Sequence, residues 1–241
     1  MSTTIEEIKK NPSLIVELAR KLAESAGDET ISAELVAQIK LLEHPVIPDR
    51  TTVRKLFWAI LEQSHRHLGI QFLDEMGVLA ELVPCWEGNG NRKNLRLKAL
   101  ENVHLEIWKP GISESVLNTI CDVHDVVIDR RLNRWALTAL ATLLAGGDTE
   151  NQIIWAKTVR RELHEFGATE AELVWIERLV REFNAALLFL RGTDGECTLR
   201  PEHVVACIST LAVTEPEKVA MAVERADKAL SGSTNPLDAD N

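Results

Sequence analysis

From Leu132 to Ala145 the chain is apolar almost all the way round a helix. Trp135, Ala136, Leu137, Ala139, Leu140, Ala141, Leu143 and Leu144 leave no broad polar side. A helix without a polar face has to be enclosed by other elements, so the remaining chain must supply the amphipathic pieces that surround it. With 241 residues, 45% hydrophobic and 27% charged, it can bury a sizeable core, as one large helical domain or two small ones. There are 12 glycines, no tyrosines and few alternating β-branched runs, which disfavours a sheet. The expected fold class is all-α, a multi-helix bundle.

The most punctuated stretch runs from Pro48 to Pro84. Val53, Leu56, Phe57, Ile60 and Leu61 fall at i, i+3, i+4, i+7 and i+8 and line one helical face, with Asp49 as its expected N-cap. Leu68, Phe72, Leu73 and Met76 repeat the pattern. Gly77 then stands where a helix stops in a left-handed residue, and Val78 to Val83 form a short third piece before Pro84.

This segment resembles the neck-to-body region of the bacterial tRNA nucleotidyltransferases, the CCA-adding enzymes and poly(A) polymerases. In that family an arginine-bearing helix ending in I-L precedes a helix that finishes L-x-E-x-G-[VL]-L-x-x-L-x-P-E. The matching residues are Arg54, Leu56, Ile60 and Leu61, then Leu73, Glu75, Gly77, Val78, Leu79, Leu82 and Pro84; Cys85 departs from the family's glutamate. The family's catalytic head carries G-S and a D-x-D pair whose carboxylates hold two metal ions. Here the D-x-D is Asp238 and Asp240 in a terminal tail read as solvated, and there is no glycine-rich phosphate loop. Nucleotide addition by this chain alone is therefore not expected.

Upstream, Asn11 and Pro12 are read as N-cap and first residue of a helix with Leu14, Ile15, Leu18 and Leu22 on one face, broken at Gly27 and Asp28. Ile31, Leu35, Ile39 and Leu42 mark a second helix, closed by His44 and Pro45. Downstream, Ser113 to Ile128 reads as a helix with Val116, Leu117, Ile120, Val123 and Val127 inward. After the apolar helix, Gly146 and Gly147 end it and Asp148 caps the next, whose face is Ile153, Ala156, Val159, Leu163 and Phe166. Thr169 and Glu172 form a capping box for a helix with Leu173, Ile176, Val180 and Phe183 inward. The last pair runs from Pro201 to Leu211 and from Thr214, with Glu217 as a second capping box, to Leu230.

Charge and cysteine usage narrow the function classes. The formal net charge is −10, and phosphate neutralisation needs clustered Lys and Arg, so nucleic-acid binding has to come from a local patch. Cys85, Cys121, Cys197 and Cys207 lack C-x-x-C spacing and read as reduced thiols rather than a zinc site. No signal-peptide core and no run long enough to span a bilayer is present, so a cytoplasmic location is expected and no membrane partner. The patch is Arg92, Lys93, Arg96 and Lys98, beside a loop of Gly88, Asn89, Gly90 and Asn91, with Arg130, Arg131 and Arg134 as a second group. The bland alternative is a solvated face. His65 and His67, two apart, would diverge by about 200 degrees on a helix and read as a solvated turn.

The region from His104 to Phe183 also resembles an HD-type metal-dependent phosphohydrolase domain, which follows the neck in part of the same family. Imidazoles and carboxylates are the ligands such a site needs. The resemblance places the first histidine at Pro110 or Asn118, the His-Asp pair at Ala145 and Gly146, and the later histidine at Phe183. The HD frame is thus kept with its ligands lost, as in a pseudoenzyme. An alternative metal set is His104, His124, Asp125 and Asp129, although His124 and Asp125 diverge by about 100 degrees on one helix.

The expected organisation is a helical pair over 1–46, neck- and body-like helices over 47–110, a degenerate HD-like region over 111–230 and a disordered tail over 231–241. The leading functional expectation is a non-catalytic helical binding protein without a cofactor. RNA is the partner the resemblance implies; a protein partner, or a role as a subunit or scaffold, is the other reading. The rival is an HD-like phosphohydrolase with relocated ligands.

Overall fold

The computed structural model describes residues 3–25, 31–42, 50–103, 111–125, 127–128, 132–145, 152–165, 167–193 and 197–232. The protein is an all-α bundle, and its centre is the apolar helix α9 (Arg134–Leu144). Every residue from Ala136 to Ala145 is buried. The buried Thr142 on this helix escapes the cost of burying a hydroxyl alone. Thr142 Oγ1 donates to the Thr138 carbonyl at 2.8 Å, one turn back.

The helices that enclose α9 come from both sides of it in sequence. They are α4 (Arg50–Glu62), α7 (Lys93–Glu101), α8 (Glu114–Asp125), α11 (Glu170–Leu190) and α12 (Pro201–Thr214), all packed directly against it. Around these lie α2 (Leu14–Glu24), which packs on α4 and on α5 (Arg66–Glu75), and α10 (Gln152–Glu165), which forms an antiparallel hairpin with α11. Between α2 and α5 the backbones approach closely. A Cβ on Gly69 would sit 2.6 Å from the Ala19 carbonyl oxygen.

Polar side chains fasten helix ends across the bundle. Trp155 Nε1 in α10 donates to the Leu144 carbonyl at 2.7 Å, satisfying one of the carbonyls left open at the end of α9. Ser209 Oγ in α12 donates to the Asn102 carbonyl at 2.7 Å, just beyond α7. Asp227 in α13 (Val219–Gly232) accepts from the Ser113 amide at 2.8 Å, at the entrance to α8.

The Pro48–Pro84 reading corresponds closely to α4, α5 and the short α6 (Val78–Leu82), joined through Gly77 at φ 71°. A left-handed residue at that joint is what the glycine supplies. Pro84 opens a 3-10 stretch, Pro84–Arg92, kinked at Gly90 (φ 48°, ψ −126°) within the Gly- and Asn-rich run expected as a loop. Asp49, Gly27, Asp28, His44, Pro45, Gly146, Gly147, Asp148 and Phe166 lie outside the described residues.

Several boundaries differ from the sequence reading, each for a local reason. Asn11 does not start a helix; it closes α1 (Ile5–Lys10), donating its N–H to the Glu7 carbonyl at 2.8 Å. A Thr4–Glu7 capping box begins α1, and α2 starts only at Leu14. The second N-terminal helix, α3, is Ala33–Lys40, capped by Ser32 through its bond from the Leu35 amide. Helix α8 stops at Asp125, and Val127–Ile128 instead pairs antiparallel with Leu132–Asn133. On α10 Ile153 is 54% exposed; Trp155, with Ala156, Val159 and Leu163, makes the buried face. Thr214 is no N-cap, because its hydroxyl donates to the Thr210 carbonyl inside α12, and a 3-10 turn at Pro216–Lys218 precedes α13. That last helix runs to Gly232, past the expected tail boundary at 231.

Leu140→Ala should destabilise the protein by roughly 2–5 kcal/mol, the usual range for a large side chain removed from a closed core. Trp135 is only partly buried, so Trp135→Ala should have the smaller effect of the two in urea melts. Equal shifts would show that α9 is not enclosed as described.

Candidate functional site

The cations singled out in the sequence do not form one surface. Arg92 stands just ahead of α7 and is exposed, and Lys98 is exposed farther along. Lys93 is half-buried, its ammonium 5.7 Å from the centre of the Trp86 ring. Arg96 points into the bundle and is only 4% exposed. At about 100 degrees per residue, Lys98 lies some 200 degrees from Arg96 around the helix. Arg130 and Arg131 lie outside the described residues, and so does the side chain of Arg134.

The inward turn of Arg96 has a sequence signature that the charge count concealed. Arg96, Ala99, Leu100 and Val103 follow the i, i+3, i+4, i+7 spacing of a core face, and all four are buried. The guanidinium lies 5.2 Å above the ring of Phe183 in α11, an arrangement that offers a cation some compensation. Burial lowers the Arg96 pKa to about 10, with the charge of Arg92 adding to the effect and Cys207 opposing it. The group is still a cation at neutral pH.

Arg66 repeats the pattern with Gly69, Ile70 and Leu73. It is also buried, and its pKa too is lowered to about 10 by desolvation, but Nε donates to the Gln63 carbonyl at 2.6 Å. The flanking His65 and His67 have ring centres 6.4 Å apart. His65 Nδ1 lies 3.0 Å from Ser64 Oγ.

Arg54, the arginine of the neck-like motif, is used as a brace. Its Nη2 is 3.7 Å from Oε2 of Glu172, a residue with no exposed side-chain surface. The same Glu172 oxygen accepts the Thr169 amide at 2.5 Å, so the capping box of α11 and the ion pair share one carboxylate. Gly167, at φ 89°, leaves the space for Arg54; a Cβ there would lie 2.8 Å from Nη1.

His203 in the first turn of α12 is a group the sequence reading passed over. Its side chain is buried, and neither ring nitrogen has a hydrogen-bond partner among the described residues. Glu182 of α11 approaches Nε2 at 3.7 Å, while the adjacent Glu202 is engaged by Arg178 at 2.9 Å. Burial depresses the imidazole pKa, and Arg178 and Arg200 depress it further, against the opposing pull of Glu202 and Glu182.

Of the positions compared with HD ligands, Ala145 and Phe183 are fully buried in the core and Asn118 lies on α8. Pro110 and Gly146 lie outside the described residues, as do His104 and Asp129. His124 and Asp125 close α8, with side chains outside the described set. Among the described residues no group of three or more His, Cys, Asp or Glu side chains is placed to hold a metal. Cys85 and Cys207 are buried, and desolvation raises both thiols well above their ordinary range, which suppresses thiolate chemistry. No described helix is long and apolar enough to cross a membrane. No protein-family model matches the chain, and no curated protein matches it.

Two predictions follow from these burials. Arg54→Ala should destabilise by roughly 3 kcal/mol, because it strands the buried Glu172 carboxylate. The pair Arg54→Met with Glu172→Gln should lose less than Arg54→Ala alone in the same urea melts. For His203, the unfolded imidazole takes up a proton near 6.5, whereas the buried one resists it. Its stabilising contribution is therefore complete above that pH and falls as the pH drops below it, because the unfolded state then binds more protons. His203→Asn should flatten the stability-against-pH curve in that window; an unchanged slope would show that His203 is not protected in the fold.

Proposed function

We propose that this chain is a non-catalytic helical binding protein, built like the neck and body of a tRNA nucleotidyltransferase, and that RNA is its partner. The observation that carries the non-catalytic part is the stacking of Arg96 on Phe183. At the position compared with the later HD histidine the protein has a buried phenyl ring with a guanidinium over it. A divalent cation set beside that charge would be repelled, and the ring offers no donor to offset it. The motif arginine, Arg54, is likewise occupied inside the fold by Glu172.

The RNA part rests on the resemblance and on the start of α7. Arg92 is exposed there, and Lys93 is held over the Trp86 indole. Trp86 is itself anchored by an Nε1 bond to Asp74 at 2.5 Å. Phosphates meeting these two cations would release condensed counterions, so binding should be weak and strongly salt-dependent. With a net charge of −10 most of the surface works against it, so binding has to come from a local cluster of cations such as this one.

Fluorescence anisotropy with a tRNA-like hairpin should give an affinity that falls by about tenfold or more between low and moderate salt. The double reversal Arg92→Glu with Lys93→Glu should remove it while leaving the melting temperature nearly unchanged. Salt-independent binding, or binding untouched by the reversal, would move the interface elsewhere. No binding at low salt would leave the protein-partner reading in its place. Melting should also be the same with and without a chelator, since an ion bound only to the folded state would raise stability by mass action. A fall with chelator, abolished by His124→Ala, would promote the hydrolase.

A further inference from the structure

The first turn of α12 has few polar ties among the described residues. Its N-cap residue, Arg200, gives no side-chain hydrogen bond to it, and Pro201 brings no N–H. Residues 197–200, just ahead, belong to neither helix nor strand. The His203 amide donates to the Arg200 carbonyl at 3.0 Å, and Glu202 ties the turn to α11 through Arg178 at 2.9 Å. Beneath lies the His203 imidazole, fully buried, with neither ring nitrogen bonded among the described residues. A neutral imidazole fits such a place better than an imidazolium, which has two N–H donors to satisfy and a charge to hydrate.

The charges around the ring do not supply that partner. Glu182 and Arg178 act on it from α11, and Glu202 and Arg200 flank it in sequence. Glu182 Oε2 is 3.7 Å from Nε2, beyond hydrogen-bond length, and its Oε1 is held by Arg181 at 2.9 Å. The other elements packed on α12 bring Arg96, over the Phe183 ring, Arg225, over the Phe189 ring, and Asp227, bonded to the Ser113 amide. Lys218 pairs with Glu215, Glu114 and Asp122 of α8 are exposed, and the described side chains of α9 include no ionisable group. None of them bonds the imidazole.

We propose that His203 is an acid-operated latch: taking up a proton releases the first turn of α12 from α11 and leaves the rest of the bundle closed. The proton binds where water reaches the ring, so acid favours the open turn over the closed one. The burial that holds the imidazole below its ordinary range is the same coupling seen from the closed side. Opening uncovers Arg178 and Glu182 of α11. It stays local because the middle of α12 is anchored separately. There Ser209 donates to the Asn102 carbonyl at 2.7 Å, and the Cys207 thiol reaches the Phe183 carbonyl at 3.7 Å.

The test is hydrogen exchange on the whole chain, read by mass spectrometry at about pH 7.5 and about pH 5.5 and corrected for the intrinsic pH dependence of amide exchange. Protection over 201–206 should fall about tenfold at the lower pH, the factor for an exposed imidazole one unit below its ordinary 6.5. Peptides from α9 should keep their protection, and His203→Gln should abolish the fall in α12. An equal loss in α9 and α12 would mean that the molecule opens as a whole and would overturn the latch. Unchanged protection in the parent, or a fall that persists in His203→Gln, would overturn it too. Should His203→Gln fail to fold, proton NMR of the His203 ring in the parent provides the second measurement. A ring that titrates together with the loss of protection in the first turn supports the latch. A ring that titrates while the turn stays protected, or does not titrate down to about pH 5, overturns it.

Discussion

The contact between Arg54 and Glu172 joins parts of the chain that sequence distance keeps far apart. Arg54 belongs to α4, in the neck-like segment, and Glu172 to the first turn of α11. The carboxylate is fully buried, so the ion pair can exist only when the helices around α9 have already closed over it. Once they have, one glutamate does two jobs. It completes the cap of the longest helix in the bundle and holds the guanidinium that reaches across from α4. Gly167 is the steric condition for this, because any larger residue at that positive φ would displace Arg54. A buried pair of this kind is weak evidence of net stability over an apolar alternative. What it does is make one relative placement of α4 and α11 much better than its neighbours, since a slipped helix would leave the carboxylate stranded.

Arg96 and Arg66 show what the same chemistry looks like when the partner is missing or partial. All three arginines sit at core-face positions of their helices. Arg54 has a carboxylate, Arg66 a backbone carbonyl, and Arg96 a phenyl ring. The series runs from a compensated charge to an uncompensated one. Folding tolerates the last because α7 is otherwise held by apolar packing on α9 and α12 and by the Ser209 bond at its end. Among the described residues, Nε and Nη1 of Arg96 find no acceptor.

Much of the fold was legible in the sequence because its signals were local and periodic. The Thr169–Glu172 capping box, the glycine stop at Gly77 and the unrelieved apolarity of Ala136 to Ala145 each specify geometry within a few residues. The misreadings arose where two local readings competed. Asn11 is a good N-cap and also a good C-terminal stop, and the Thr4–Glu7 box upstream decides between them. On α10, Ile153 and Trp155 differ by two positions, and which one faces inward depends on the Leu144 carbonyl that Trp155 reaches, a partner eleven residues away. The site was less legible because a charged residue was read by its class rather than by its register. Arg96 counted as one of four cations in a row, while its spacing to Ala99, Leu100 and Val103 already placed it inside.

That difference between class and register bears on function. A run of basic residues suggests a surface for phosphates, and here it splits into two environments along a single helix. At the start of α7, Arg92 is exposed and Lys93 is half-buried, its ammonium over the indole of Trp86. One turn later the same helix carries the Arg96 guanidinium inside the bundle. The dielectric falls between these two places, so an interaction of a given geometry is weaker and more easily screened by salt at the first than at the second. The core charge and the start of α7 are coupled by electrostatics, because the Arg92 charge disfavours the charge of Arg96.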